Sequence, residues 1–245
     1  MQDARTFNVR HGLGLAVLAV AAVFATAPAQ AAATKQVTIQ AWRVCDDAGN
    51  NCADTNFFEA FTQKIWAQAD ISVNFLAIQQ VNSSARLNET NFSDLGNVGN
   101  DNIVDLWFLN DLSDCGGNFG FGSLYGCGTE SGWFAMTKWV GDYSAIGRVD
   151  TLSHELGHVL GLGHNDFGAG GADNLMTSGG SRSIAQALGD VNPDGLGLEK
   201  LTAAQIAEAR TSRYLVNVVP EPGSLALAAL ALLGLGLARR KGAAR

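Results

Sequence analysis

The chain is 245 residues long, 47% hydrophobic and 16% charged, with a formal net charge of −7 at pH 7. Between residues 34 and 219 the balance is more acidic, ten Lys and Arg against 21 Asp and Glu, a net charge of −11. That leaves no basic patch for nucleic acid, and an acidic surface of this kind is a solvated one that can also hold Ca²⁺.

Residues 1–11 carry Arg5, Arg10 and His11, residues 12–27 are almost wholly apolar, and Ala29-Gln30-Ala31 has a small-x-small form. Basic, then apolar, then small is the pattern of a secretory signal peptide over 1–31, cut by signal peptidase after Ala31 or, alternatively, after Ala33. An uncleaved anchor is the competing reading. Residues 34–219 are then one domain by length, long enough to bury a core.

Residues 36–44 alternate in the manner of a strand. Cys45 and Cys52 bracket a polar loop, and Asp54 or Thr55 is placed to cap a helix over 57–69. That helix sets Phe57, Phe58, Phe61, Ile65 and Trp66 in an apolar stripe facing a core. A second strand is expected over 71–81, a polar loop over 82–102 and a third, alternating strand over 103–110. Residues 111–128 are Gly-rich and hold Cys115, Cys127 and a candidate edge strand at Gly120–Leu124. The last strand is expected over 133–140, and after a turn at Gly141, Asp142 and Tyr143 a helix begins near Ile146. Strands mixed with helices in this order predict an α+β fold, a sheet covered by helices. Four cysteines in an exported chain predict two disulfides. Of the three pairings, Cys45–Cys52 and Cys115–Cys127 close the shortest loops. A cysteine zinc site is the alternative, but no CxxC spacing is present.

Residues 151–166 read TLSHELGHVLGLGHND. His154 and His158, four apart, fall on one face of a helix one turn apart, where two neutral imidazoles can share one Zn²⁺. Glu155 follows the first His and points beside the metal, where a general base for an attacking water must sit. Gly161 lets the helix stop and the chain turn back, bringing His164 in as third ligand. Three protein ligands leave a fourth position open, as a catalytic zinc site requires. All histidines beyond residue 31 lie in this run, since the chain has four and the other is His11.

The run HELGHVLGLGH resembles the zinc signature of the metzincin clan of metallopeptidases, and its matrixin-like branch most closely. The resemblance implies a twisted five-stranded mixed sheet with two long helices, a zinc cleft and a small C-terminal subdomain with one helix. It implies a methionine turn under the zinc ligands, a role that Asn174-Leu175-Met176-Thr177 fits. It implies a polypeptide substrate in extended conformation along the edge strand, here Gly120–Leu124. Some clan members carry a Tyr two residues after the Met; here that position is Ser178. The first strand begins within a few residues of the expected signal cleavage, so no room is expected for a propeptide with a zinc-blocking Cys. The specificity pocket is expected to be shaped by residues 170–190.

Downstream, Asp190, Asn192, Asp194 and Gly195 resemble the start of a calcium loop, but its twelfth position is Leu201 instead of Glu, and a plain turn competes with Ca²⁺. Thr202 and Gln205 read as a capping box for a helix over 203–213 presenting Ile206, Ala209 and Tyr214. Val219-Pro220-Glu221-Pro222, a short apolar run and then Arg239, Arg240 and Lys241 resemble the PEP-CTERM sorting signal, placing a tail at 220–245. That resemblance implies a Gram-negative-type bacterium, exosortase as a processing partner, and delivery to the cell surface or extracellular matrix. The apolar run is short for a spanning helix and would give a transient membrane association. The expectation is an exported zinc endopeptidase. A non-catalytic zinc-binding surface or matrix protein, or a hydrolase of surface polysaccharide or lipid, are the competing classes.

Overall fold

The computed structural model describes residues 33–89, 91–98, 102–115 and 124–218. The expected signal peptide and the sorting tail lie outside these residues, as does most of the expected edge strand at Gly120–Leu124. In chain order the first elements are β1 (Lys35–Cys45), α1 (Glu59–Ala67), β2 (Ile71–Phe75), β3 (Gln79–Asn82), α2 (Ser84–Leu87) and β4 (Asn88–Glu89). Then come β5 (Val104–Leu109), β6 (Asp111–Leu112), β7 (Gly126–Gly128), β8 (Trp133–Thr137) and α3 (Trp139–Asp142). The last are α4 (Thr151–Val159), α5 (Ala203–Ala209) and β9 (Leu215–Asn217).

The sheet is organised on β1, whose Val37, Ile39 and Ala41 point alternately into the core. On one side β1 pairs in parallel with β2 over Lys35–Ile39 and with β3 over Trp42–Cys45. On the other it pairs in parallel with β5 over Ile39–Arg43, and β9 runs antiparallel to Lys35, Gln36 and Val37. β5 pairs in parallel with β8, and β7 closes the edge antiparallel to β8. The order β2-β1-β5-β8-β7 is the mixed five-position sheet expected, extended by β3 and β9. A separate short ladder joins β4 to β6. Both disulfides form as expected, Cys45–Cys52 and Cys115–Cys127.

Several boundaries differ from the expectation. The stretch 71–81 is two strands, because residues 76–78 leave the ladder after Leu76 N–H donates to Ile39. β5 is buried from Val104 to Leu109 without alternation, since a central strand is covered on both faces. Among the described residues an antiparallel edge strand runs over Gly126–Gly128, and the stretch expected as the edge lies mostly outside them. The strand expected to Val140 ends at Thr137, and Trp139–Asp142 is a helical turn. Helix α4 starts at Thr151, not near Ile146: Gly147 turns with φ +79° and Arg148 N–H donates back to Val140. Neither α1 nor α4 is long; each has nine residues.

Helix α1 buries Thr62, Ile65 and Trp66 as the stripe predicts, with Phe57, Phe58 and Phe61 packed at the rim. Its cap is not Asp54 or Thr55. Phe58 takes a left-handed conformation and its N–H is received by Asn56 Oδ1. The loop expected over 82–102 holds α2, β4 and a 3₁₀ turn at Phe92–Asp94. The Thr202–Gln205 capping box is present, but α5 ends at Ala209, and the chain goes on to β9. Among the described residues no helix is long and apolar enough to cross a membrane.

Candidate metal centre and its cleft

Helix α4 is buried at every position except His158, which is half-buried. It packs against β7, β8 and α1. Two glycines of β7 let it come close. A Cβ on Gly126 would stand 2.8 Å from Glu155 Cγ, and one on Gly128 would stand 2.5 Å from the Glu155 carbonyl oxygen. At the helix end Gly161 takes φ +95°, Gly161 N–H donates to the His158 carbonyl, and the chain turns back as predicted.

That turn brings three imidazoles together. The Nε2 atoms of His154, His158 and His164 lie 3.0 to 3.2 Å from one another. His154 Nδ1 donates to the Leu175 carbonyl at 2.7 Å and His158 Nδ1 donates to the Leu162 carbonyl at 2.7 Å. A carbonyl only accepts, so both Nδ1 atoms carry the proton and both Nε2 atoms present bare lone pairs. Lone pairs facing at this distance repel unless a cation lies between them. Two imidazole nitrogens on a tetrahedral zinc at roughly 2.0–2.1 Å would stand roughly 3.3 Å apart, so the donor set fits such an ion. Among the described residues this is the group of three or more His, Cys, Asp or Glu side chains whose ligand atoms converge.

Burial, the Arg182 charge and the neighbouring imidazoles keep these rings neutral. The His154 pKa lies well below its usual value, His158 is lowered to about 4 and His164 is lowered, with desolvation the largest cause in each. Neutral imidazoles are the form that binds metal. Glu155 is 7% exposed. Desolvation pushes its carboxyl up to about 8, and the Asp150 carboxylate adds to the rise while Arg182 and Arg148 oppose it.

The three imidazoles and Glu155 line a cleft of about 400 Å³. Its walls include Gly126 and Gly128 of β7, the Cys115–Cys127 disulfide, Arg148 and Ser178. Ser178 is therefore at the cleft, in the segment expected to shape specificity.

Met176 is fully buried against α4. A Cβ on Gly157 would stand 2.5 Å from Met176 Sδ, so the methionine rests on the helix between the first two histidines because that residue has no side chain. The turn is held by its first residue: Asn174 Oδ1 accepts from Met176 N–H at 2.9 Å. Asn174 and Gln205 then exchange two amide hydrogen bonds, at 2.9 and 3.0 Å, both side chains buried. Gln205 is also the capping-box residue of α5, so one side chain ties the C-terminal helix to the methionine turn.

A buried charge cluster adjoins the centre, and sequence reasoning missed it. Asp150, wholly buried one residue before α4, makes no cap hydrogen bond. Its Oδ2 instead takes Arg182 Nε at 2.8 Å and Nη2 at 2.6 Å. Arg182 Nη1 donates to the carbonyls of Leu175 and Thr177, on either side of Met176. It also crowds His154 Nδ1. That nitrogen is already a donor, so the two share the Leu175 carbonyl and do not bond each other. Glu199 is 1% exposed, accepts from Ala185 N–H, and is pushed up to about 8 by burial and by Asp150. The only sequence signal for this cluster was Asp150, four residues before His154 in the position where a cap would be sought.

The calcium expectation does not match the local bonding. Asp190 accepts from the N–H groups of Gln186 and Ala187, Asn192 donates to Gln68, and Asp194 pairs with Lys64. These three side chains have protein partners, and the segment is a turn through a cis Asn192–Pro193 bond.

Among solved structures the chain is similar to an archaemetzincin from Archaeoglobus fulgidus complexed with malonate, at 15% identity and a TM-score of 0.40 over 70% of this chain and 99% of that one. It is similar to mature mirolysin of Tannerella forsythia in complex with a cleaved peptide, at 14% identity and a TM-score of 0.44 over 71% and 90%. A zinc-dependent peptidase from Methanocorpusculum labreanum shares 12% identity at a TM-score of 0.39 over 70% and 99%. Likeness of that degree carries no function across, and the reading of the site rests on its own geometry. No curated protein matches the chain. The model of the PEP-CTERM protein-sorting motif matches residues 218–241, so the chain ends in the tail of an exported, surface-directed protein that exosortase processes.

Proposed function

We propose that residues 34–219 form an exported zinc-dependent endopeptidase of the metzincin type. One observation carries the reading: three Nε2 atoms converge within 3.0 to 3.2 Å, two of them with Nδ1 pinned to backbone carbonyls, beside a buried carboxyl in an open cleft. A zinc ion held by these three imidazoles would supply Lewis acidity toward a carbonyl and toward water.

The remaining work falls to the chain. His154, His158 and His164 hold the ion, with Leu175 and Leu162 fixing the tautomer of the first two. Met176 and Gly157 set the floor beneath them. Glu155, proton-bearing near neutrality while its pKa is about 8, ionises once a cation stands beside it. As a carboxylate it accepts a proton from the attacking water and returns it to the leaving amine. Among the described residues β7 is the edge of the sheet, and it lines the cleft. An extended peptide laid along it would add one more strand with its scissile bond beside Glu155. The tail at 220–245 gives a transient membrane association during export.

Metal analysis of the purified domain, run with digestion of denatured casein by wild type and Glu155→Gln, tests the reading. One zinc per chain and cleavage lost in the variant are expected. Zinc bound with equal traces for the two proteins would replace the peptidase by a non-catalytic zinc-binding surface protein.

A further inference from the structure

The cleft wall carries two guanidinium groups, Arg148 and Arg182, and the acidic residue among its lining is Glu155; Asp150, wholly buried and outside the lining, faces both arginines. Arg182 is fully committed, to Asp150 and to the carbonyls of Leu175 and Thr177. Arg148 is not. Its guanidinium carbon stands over two mutually perpendicular rings, 4.7 Å from the Tyr125 centroid and 5.4 Å from that of Tyr143. In its plane Nη2 donates to the Gly179 carbonyl at 2.7 Å. Nε stands 3.5 Å from Asp150 Oδ1, is buried and makes no hydrogen bond. The residue is 6% exposed and lines the same cleft as the three imidazoles and Glu155.

A guanidinium has five donors in a rigid fork; here Nη2 has a protein acceptor while Nε is buried without one, which is costly. The two rings hold the guanidinium at the cleft wall, and its planar fork of donors is the shape that suits a carboxylate. Gly179 contributes by what it lacks: a Cβ there would stand 3.2 Å from Arg148 Nη2. Glu199, pushed up to about 8 by burial and by Asp150, adds little negative charge at neutral pH. The acidic surface of the domain acts from outside and is screened beyond about 8 Å at physiological salt.

We infer that Arg148 reads an acidic side chain of the substrate next to the bond that is cut, so that Asp- or Glu-containing peptides are the preferred class. The inference rests on the peptidase reading and deepens it.

The test is a pair of peptides differing only in Asp against Asn beside the cleavage site, chosen after profiling zinc-loaded wild type on a peptide library. Wild type is expected to favour the acid in kcat/KM by about tenfold to a hundredfold, the range of a charged hydrogen bond. That ratio is expected to fall to about one in Arg148→Gln and to an intermediate value in Arg148→Lys, which keeps the charge without the fork. The lysine variant carries the test if the glutamine variant melts early. A wild-type ratio near one, or a ratio unchanged in both variants, overturns the inference. Calorimetry of the same peptides on Glu155→Gln gives a readout apart from turnover. If the library shows no cleavage, the calorimetry uses an extended peptide pair differing only in one central Asp against Asn; tighter binding of the Asp peptide would then uphold Arg148 as a carboxylate receptor and overturn the peptidase. No binding of either peptide would overturn both.

Discussion

On the sheet side of α4 the interior is largely apolar, with Asp105 of β5 as a buried exception that accepts from Trp42. Ile39, Leu106, Trp107, Phe108 and Phe134 are buried across β1, β5 and β8, with Trp66 of α1 packed among them. On the other side, from His164 to Tyr214, regular structure is sparse, and directed polar bonds hold the chain. Asp150 with Arg182, Asn174 with Gln205, and Glu199 with Ala185 are all buried. Apolar burial is tolerant of direction, whereas a hydrogen bond fixes an angle and a distance. The contrast teaches that the sheet supplies stability while the polar side supplies aim, since the bonds orienting His154 come from Leu175 and its neighbours.

Four measurements would break or sharpen that contrast. The largest effect belongs to the site where the two regions meet. Glu155→Gln should lower kcat/KM on a cleaved peptide by about a hundredfold to ten-thousandfold, as loss of a general acid–base does. Its zinc content by mass spectrometry should stay at one per chain. On the apolar side, Leu106→Ala should cost about 2–5 kcal/mol in urea unfolding, the usual range for emptying a core position. Zinc affinity of the folded variant should change less than about threefold, because additivity holds between separate sites. On the polar side, Asn174→Ala should cost less, about 1–3 kcal/mol, for leaving the Gln205 amide and Met176 N–H without their partner. Yet zinc affinity, measured by chelator competition, should fall roughly tenfold or more, as for other supporting partners of metal ligands. Equal affinity losses in the leucine and asparagine variants would erase the contrast.

The smallest effect is a pH dependence. Burial raises Glu199 from 4.5 to about 8. The folded protein therefore keeps that proton where the unfolded chain has released it, so this contribution is full below about pH 4.5 and is lost as pH rises toward 8. Glu155 acts in the same direction in the metal-free protein. The histidines act oppositely: with His158 lowered to about 4, stability is lost as pH falls below 6.5. Glu199→Gln should raise the melting temperature of the metal-free protein at pH 8.5 by the equivalent of about 1 kcal/mol or more and leave it unchanged at pH 4. A variant no more stable than wild type at pH 8.5 would show that Glu199 is not held protonated.

Legibility in the sequence divided along the same line. The strands around β1 and β5 announced themselves by apolar runs, and the three histidines and Gly161 by a spacing that only a helix and a sharp turn can satisfy. Both cysteine pairs followed from loop length. The departures arose where a contact distant in sequence decided the outcome. Nothing local says that Asp150 will pair with Arg182 instead of capping α4. Nothing local says that Gln205 will bridge to Asn174, although its capping-box role was visible. β9 has three residues and carries no periodicity of its own; it is a strand because Lys35–Val37 offers it a ladder. The run Asp190–Gly195 left two readings open, since its polar side chains suit a turn as well as an ion; the turn is what the local bonding supports.

β9 also fixes how the domain is handed to its tail. It ends at Asn217, Val218 N–H donates to the Thr34 carbonyl, and the sorting motif match starts at residue 218. The bond to Thr34 thus seals the strand bundle up to the residue where the match to the sorting motif begins, so the ends of the described domain are stitched to each other and not left frayed.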